Sequence, residues 1–195
     1  MAIGAPPEVA SQAIMAFNGD VYLGLDAPSL SEDDLAFSQD HLRVLSGLYG
    51  LLRPLDRMQP YRLEMGSPLS TRRGPTLYAY WGARITKAID AATEGHADRT
   101  VVNLASNEYF KAVMPKKLAA KVVTPVFQEL HNGALKVISF NAKKTRGLMA
   151  RWILQNRIDA PDVIREFSEE RYAFREDLST PTQPVFTRVF VSVAQ

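Results

Sequence analysis

The chain has 195 residues, 46% of them hydrophobic and 23% charged, with a formal net charge of +2, which is an ordinary globular balance with enough length to bury one core. It contains no cysteine, excluding disulfides and thiolate metal sites, and no apolar run approaches the roughly 18–20 residues a membrane-spanning helix needs. Met-Ala-Ile-Gly-Ala-Pro-Pro lacks the charged and apolar regions of a signal peptide, so the expectation is a cytoplasmic protein without a membrane partner.

Pro6 and Pro7 can open a helix carrying Val9, Ile14 and Phe17, with Gly19 at its exit. Ser31, followed by Glu32, Asp33 and Asp34, predicts a capped helix running to about Leu45 and burying Leu35, Leu42 and Leu45. Ser46–Gly50 is a tight glycine-flanked turn, and Pro54 and Pro60 prevent one long helix beyond it. Tyr61–Met65 is a candidate strand, and Ser67–Pro75 a loop with paired arginines, Arg72 and Arg73. Leu77–Ala92 is a predicted helix with Trp81, Ile85 and Ile89 on one stripe, ended by Gly95.

Thr100–Leu104 is a buried-type strand, and Asn107–Met114 a short helix stopped by Pro115 and capped by Ser106 or Asn107. Lys121–Leu130 and Ala134–Phe140 are predicted strands joined through His131-Asn132-Gly133, a strong hairpin signal. A helix over Ala142–Arg157 follows, then a small one after Pro161. Tyr172–Arg175 and Val185–Val193 close the chain as strands separated by a Ser179–Pro184 loop. With neither repeats nor a composition shift, the pattern predicts a single α+β domain with a mixed sheet.

Charge is strongly segregated. Between Lys111 and Arg157 lie ten basic residues and one acid, Glu129, so the remainder of the chain is net acidic. Such a field suits a polyanion or a phosphate-bearing small molecule. On the Ala142–Arg157 helix, Lys143, Lys144, Arg146 and Arg151 fall opposite Leu148, Met149, Trp152 and Ile153, which predicts an apolar docking face and outward cations. The alternative is a surface helix whose cations pair with acids such as Asp33, Asp34 or Glu169. A second cluster, Lys111, Lys116, Lys117 and Lys121, flanks the strand–helix junction at Ser106–Tyr109, where free amides favour a phosphate.

The Gly47–Gly50 turn, assisted by Arg53, has the composition of a helix–hairpin–helix element that offers backbone amides to a DNA phosphate, although a simple helix end explains it as well. Catalytic and metal signals are poor. His41, His96 and His131 are isolated, no phosphate loop or nucleophile elbow occurs, and neither a metal nor a cofactor is expected. Arg62 and Glu64 on the Tyr61–Met65 strand, with Ser106 and Glu108 after the next one, could line a site for an enzyme acting on a phosphorylated or nucleotide-like small molecule, or form a structural ion pair.

Together these segments resemble the YaaA peroxide-stress protein family. The resemblance rests on Gly19-Asp20-Val21-Tyr22, on Leu45–Gly50 through Arg53–Asp56, and on Gln59–Gly66. Asn103–Phe110 and Ser139–Met149 continue it in order along nearly the whole chain. It implies a cytoplasmic bacterial protein that limits the damage iron and hydrogen peroxide do to DNA and protein. It also implies a cantaloupe fold with a positively charged cleft, a helix–hairpin–helix element at Ser46–Gly50, and binding to duplex and branched DNA. Family chains begin with a strand bearing Ser-Pro-Ala-Lys, which this sequence lacks, so the expectation is a chain short of the family's N-terminal part. The leading expectation is thus a non-enzymatic DNA-binding protein of the oxidative-stress response.

Overall fold

Short apolar runs cut by proline and glycine make short elements, and the computed structural model, which describes residues 10–189, contains many of them. In chain order they are β1 (Ser11–Gln12), α1 (Ala13–Ala16), α2 (Asp20–Leu25), α3 (Glu32–His41), β2 (Val44–Ser46), β3 (Gly50–Leu52), β4 (Arg57–Met58), α4 (Leu77–Trp81) and α5 (Arg84–Thr93). Then follow β5 (Thr100–Val102), α6 (Asn107–Phe110), β6 (Lys121–Val123), β7 (Val126–His131), β8 (Ala134–Lys136), α7 (Ser139–Gln155), β9 (Ala173–Thr180) and β10 (Gln183–Val189). Helices and several small sheets are mixed. No described helix is long and apolar enough to cross a membrane.

The chain divides into two compact units. The first comprises the stretch ending at Asn18, Ala27–Gly95 and Ala105–Ala120; the second comprises Gly19–Asp26, His96–Leu104 and the stretch from Lys121 onward.

In the first unit, Ser31 closes a capping box on α3: its hydroxyl accepts from the Asp34 amide while Asp34 accepts from the Ser31 amide, both at 3.1 Å. The helix stops at His41 rather than Leu45, because Val44–Ser46 pairs with β3 in an antiparallel hairpin. Leu35, Leu42 and Leu45 are half-buried, and Asp34 and Ser38 are the buried residues of α3. The Gly47–Gly50 turn is therefore flanked by strands rather than by two helices. Tyr61–Met65 forms no ladder and is irregular, although Met65 is fully buried.

The single helix expected over Leu77–Ala92 is split by Gly82, whose φ of 50° ends α4 before α5 begins. Ile85 and Ile89 are buried on the predicted stripe. Thr86 Oγ1 donates to the Val113 carbonyl at 2.6 Å, fastening α5 to the turn after α6. Of the helix expected to open at Pro6, only α1 is helical: Ser11–Gln12 is instead strand β1, paired antiparallel with β4, and the part from Pro6 to Val9 lies outside the described residues. Gly19, expected as its exit, is instead the N-cap of α2, with φ 132°.

The second unit is built on a four-stranded sheet of order β8-β7-β10-β9. β7 and β10 run parallel, Val126 opposite Val185 through Leu130 opposite Val189, and the outer pairs are antiparallel. Asn132 and Gly133, at φ 50° and 77°, make the predicted hairpin turn. Pro125 separates β6 from β7, so Lys121–Leu130 is two strands, and β6 pairs in parallel with β5. β8 ends at Lys136, leaving Ser139 and Phe140 to begin α7. β9 and β10 extend the predicted closing strands through Thr180 and from Gln183, while the part of the last strand beyond Val189 lies outside the described residues.

The apolar face of α7 docks as its periodicity predicts. Met149 and Ala142 are buried with Phe127, Phe167, Tyr172 and Phe186, and Leu148, Trp152 and Ile153 pack around them. Each buried aromatic contributes about 1.5–3 kcal/mol through burial. α2, which periodicity did not foresee, covers a second face of α7. A Cβ on Gly147 would lie 1.9 Å from the Val21 carbonyl oxygen, and one on Gly24 2.0 Å from that of Lys144, so only glycine permits this approach.

Candidate nucleic-acid interface

Burial of α7 on two sides changes what its cations can do. Lys143 Nζ lies 3.9 Å from Asp20, at the start of α2. Arg151 donates to the Leu25 and Asp26 carbonyls at 3.2 and 3.0 Å and lies 3.8 Å from the Asp26 carboxylate. It thus satisfies carbonyls that the end of α2 leaves without helical partners. Lys144 Nζ donates to Glu170 at 2.5 Å. The expectation of an entirely outward basic face is corrected: Arg151 retains only 21% side-chain exposure, against 50% for Lys143 and 41% for Lys144. The partners are Asp20, Asp26 and Glu170 rather than Asp33, Asp34 or Glu169.

Arg146 differs from the other three. It is half-buried, burial alone pushes its guanidinium pKa below the ordinary value, and no carboxylate lies within ion-pair distance among the described residues. It is a cation in a partly dry setting, without a counter-charge among the described residues.

Behind α7 lies a network that sequence reasoning missed. Glu129, the lone acid of the basic window, is 1% exposed. Its Oε1 accepts from Arg188 Nη2 at 2.8 Å, Arg188 Nε at 3.2 Å and the Tyr172 hydroxyl at 3.1 Å. Its Oε2 is buried with no hydrogen-bond partner among the described residues. Arg188 also donates to Glu170 Oε2 at 2.8 Å, which joins this buried group to Lys144. Burial pushes the Tyr172 phenol up to about 12, and the Glu129 charge adds to that, while a bond from Thr145 and the Arg188 charge oppose it. Burial pushes Glu170 upward, but the bonds from Lys144 and Arg188 outweigh it and hold the carboxyl below its ordinary value. The available signal was the isolation of one acid among ten bases.

Of the second cluster, Lys111, Lys116 and Lys117 belong to the first unit and Lys121, which opens β6, belongs to the second. Lys111 sits over the Tyr78 ring, 4.9 Å from its centroid, and Lys116 and Lys117 are exposed on the one-turn helix that follows Met114. Packing accounts for both hairpin glycines. A Cβ on Gly47 would lie 2.4 Å from the Leu63 carbonyl oxygen, and one on Gly50, at φ 78°, 2.6 Å from the Trp81 ring. Trp81 Nε1 donates to the Gly47 carbonyl at 2.9 Å. Arg53 pairs with Asp56, Nε to Oδ1 at 3.4 Å.

Of the residues considered for small-molecule chemistry, Glu64 and Glu108 act on one tyrosine. Burial first, then Tyr61, Glu108 and Glu64, raise the pKa of Tyr109, against a bond to the Met65 backbone. Glu108 Oε1 accepts from the Gly66 amide at 2.8 Å, and Ser106 caps α6 through the Tyr109 amide at 3.5 Å. Arg62 is exposed. Among the described residues no group of three or more His, Cys, Asp or Glu could hold a metal ion.

A family model described as "Peroxide stress protein YaaA" matches residues 2–178 of the chain. Similar proteins are the UPF0246 proteins of Burkholderia mallei (strain SAVP1), Burkholderia pseudomallei (strain K96243) and Burkholderia thailandensis (strain E264). Each is 58% identical over 184 residues, covering 93% of this chain and 71% of the relative.

Proposed function

The chain belongs to the YaaA peroxide-stress family, and from that membership we propose that it is a cytoplasmic, DNA-binding protein that limits iron- and peroxide-dependent damage. Its contacts go to the phosphate backbone through Lys143, Lys144 and Arg146, without base readout. The cantaloupe topology and the charged cleft implied by the family resemblance belong to the same proposal. The observation that carries it is Arg146, a half-buried cation with no carboxylate partner among the described residues, on the same helix as two lysines in exposed ion pairs. Exposed pairs contribute only about 0–1 kcal/mol, so a phosphate displaces their carboxylates at little cost.

Fluorescence anisotropy of a labelled duplex, titrated across salt, tests this. Affinity falls steeply with salt, and Arg146→Gln combined with Lys143→Gln flattens that dependence by about one contact per charge removed. Absent binding, or binding indifferent to salt, excludes the mechanism.

A second reading, an enzyme acting on a phosphorylated small molecule, is favoured by the convergence of Glu64 and Glu108 on Tyr109. Under it Glu108→Ala abolishes turnover; under the first reading it leaves DNA affinity unchanged.

A further inference from the structure

Between Glu64 and Asp90 the sequence carries four cations, Arg72, Arg73, Arg84 and Lys87, and no acid. The first unit folds this stretch into a built surface. Thr71 and Gly74 exchange backbone bonds of 2.8 and 3.1 Å, which places Arg72 and Arg73 at the tip of a tight turn. The Thr71 hydroxyl reinforces the turn by accepting from the Arg73 amide at 3.2 Å. Gly74, at φ 150°, lies so close to α4 that a Cβ there would be 2.5 Å from that of Ala79.

On α4, Tyr80 and Trp81 meet edge to face with ring centroids 5.1 Å apart. The Arg84 guanidinium lies over both, 4.6 Å from the Tyr80 centroid and 5.0 Å from that of Trp81, and Arg73 reaches Tyr80 at 5.4 Å. The Arg84 Nε bond to the Trp81 carbonyl, at 3.1 Å, fixes the stack, and the Trp81 bond to Gly47 anchors it to the hairpin. Arg72, Arg73 and Arg84 are exposed, Tyr80 and Trp81 half-exposed. Among the described residues none of the three arginines has a carboxylate within ion-pair distance, whereas three of the four cations on α7 do.

We propose that this surface takes an unpaired nucleotide of DNA: the base stacks on the Arg84–Tyr80 layer, and Arg72 and Arg73 hold the flanking phosphates. An acidic peptide would use the charge and leave the two aromatic planes idle; a nucleotide uses both. Because every base has a π-face, recognition is tolerant of sequence. The inference rests on the DNA-binding reading above and extends it from duplex backbone to displaced bases.

The test uses the whole chain with two probes, a short single-stranded oligonucleotide containing 2-aminopurine and a blunt duplex of the same sequence. The wild-type protein is expected to bind the single strand and to change the probe's fluorescence through stacking. Tyr80→Leu weakens single-strand binding at least about fivefold and abolishes the spectral change, with duplex affinity unaltered. Arg84→Lys keeps the charge, and with it the salt dependence, yet loses the planar stack and the spectral change. If Tyr80→Leu is unfolded by circular dichroism, Arg84→Lys decides alone. Unchanged fluorescence response and affinity in these variants overturn the proposal, as does a wild-type protein that ignores the single strand. Retained duplex binding in either case leaves the α7 reading standing, whereas duplex affinity and salt dependence that are unchanged in the Arg146 and Lys143 variants sink that reading and spare this one.

Discussion

Replacing Arg188 by methionine isolates the buried carboxylate of Glu129. In the native protein Arg188 supplies two of the three bonds reaching that side chain, and only the Tyr172 hydroxyl remains once it is gone. With Glu129 at 1% exposure and its other oxygen already unpartnered, no solvent compensates the charge. Breaking one side of such a pair costs about 3–5 kcal/mol, a large fraction of the roughly 5–15 kcal/mol that holds a domain folded. The reverse change, Glu129→Gln, is milder, because Arg188 keeps its 2.8 Å bond to Glu170 and a 15% exposed side chain. Replacing both residues by apolar ones of similar volume recovers most of the loss, since the double change removes the desolvated charges together. Urea unfolding followed by circular dichroism gives the stabilities of the wild type and of these three variants. An Arg188→Met penalty below about 1 kcal/mol, or a double variant no better than that single one, would refute the view that Glu129 is a charge held by Arg188.

Gly147→Ala drives a methyl group into the Val21 carbonyl and forces α2 off α7, costing about 1–3 kcal/mol in chemical denaturation, whereas Gly95→Ala, with nothing within 4 Å of the added carbon, changes little. Because Glu170 titrates below its ordinary 4.5 in the folded protein, its contribution is present above that pH and is lost as pH falls through the lower folded value. Glu170→Gln should therefore be less stable than wild type at neutral pH and converge with it in acid; a gap that persists in melts at low pH contradicts this. Ser31→Ala removes the capping box and lowers stability by about 1 kcal/mol, read as an earlier unfolding midpoint.

Features set by two or three neighbouring residues were legible in the sequence. Ser31 with Asp34, Asn132 with Gly133, and the Met149–Trp152 face of α7 each carry their own physics. Gly82 was harder, because its helical neighbours on both sides mimic one continuous stripe. The Val44–Ser46 strand continues the leucine spacing of α3, so only its partner β3 tells strand from helix. Tyr61–Met65 alternates like a strand but finds no partner. The candidate site was half legible for the same reason. The cations of α7 stand in the sequence, but Asp20, Asp26 and Glu170, which meet them, are brought there by a six-residue helix too short to declare itself and by a turn far along the chain.

The way the chain threads its two units limits how the protein can be dissected. It passes from one to the other five times, at Gly19, Ala27, His96, Ala105 and Lys121. No contiguous fragment therefore contains one unit whole without pieces of the other, and a fragment ending before Lys121 would strand α2 away from α7 and β5 away from β6. A deletion that cuts through an interleaved segment would score as inactive for want of a folded product, so activities are better assigned to regions of this polypeptide by point substitutions.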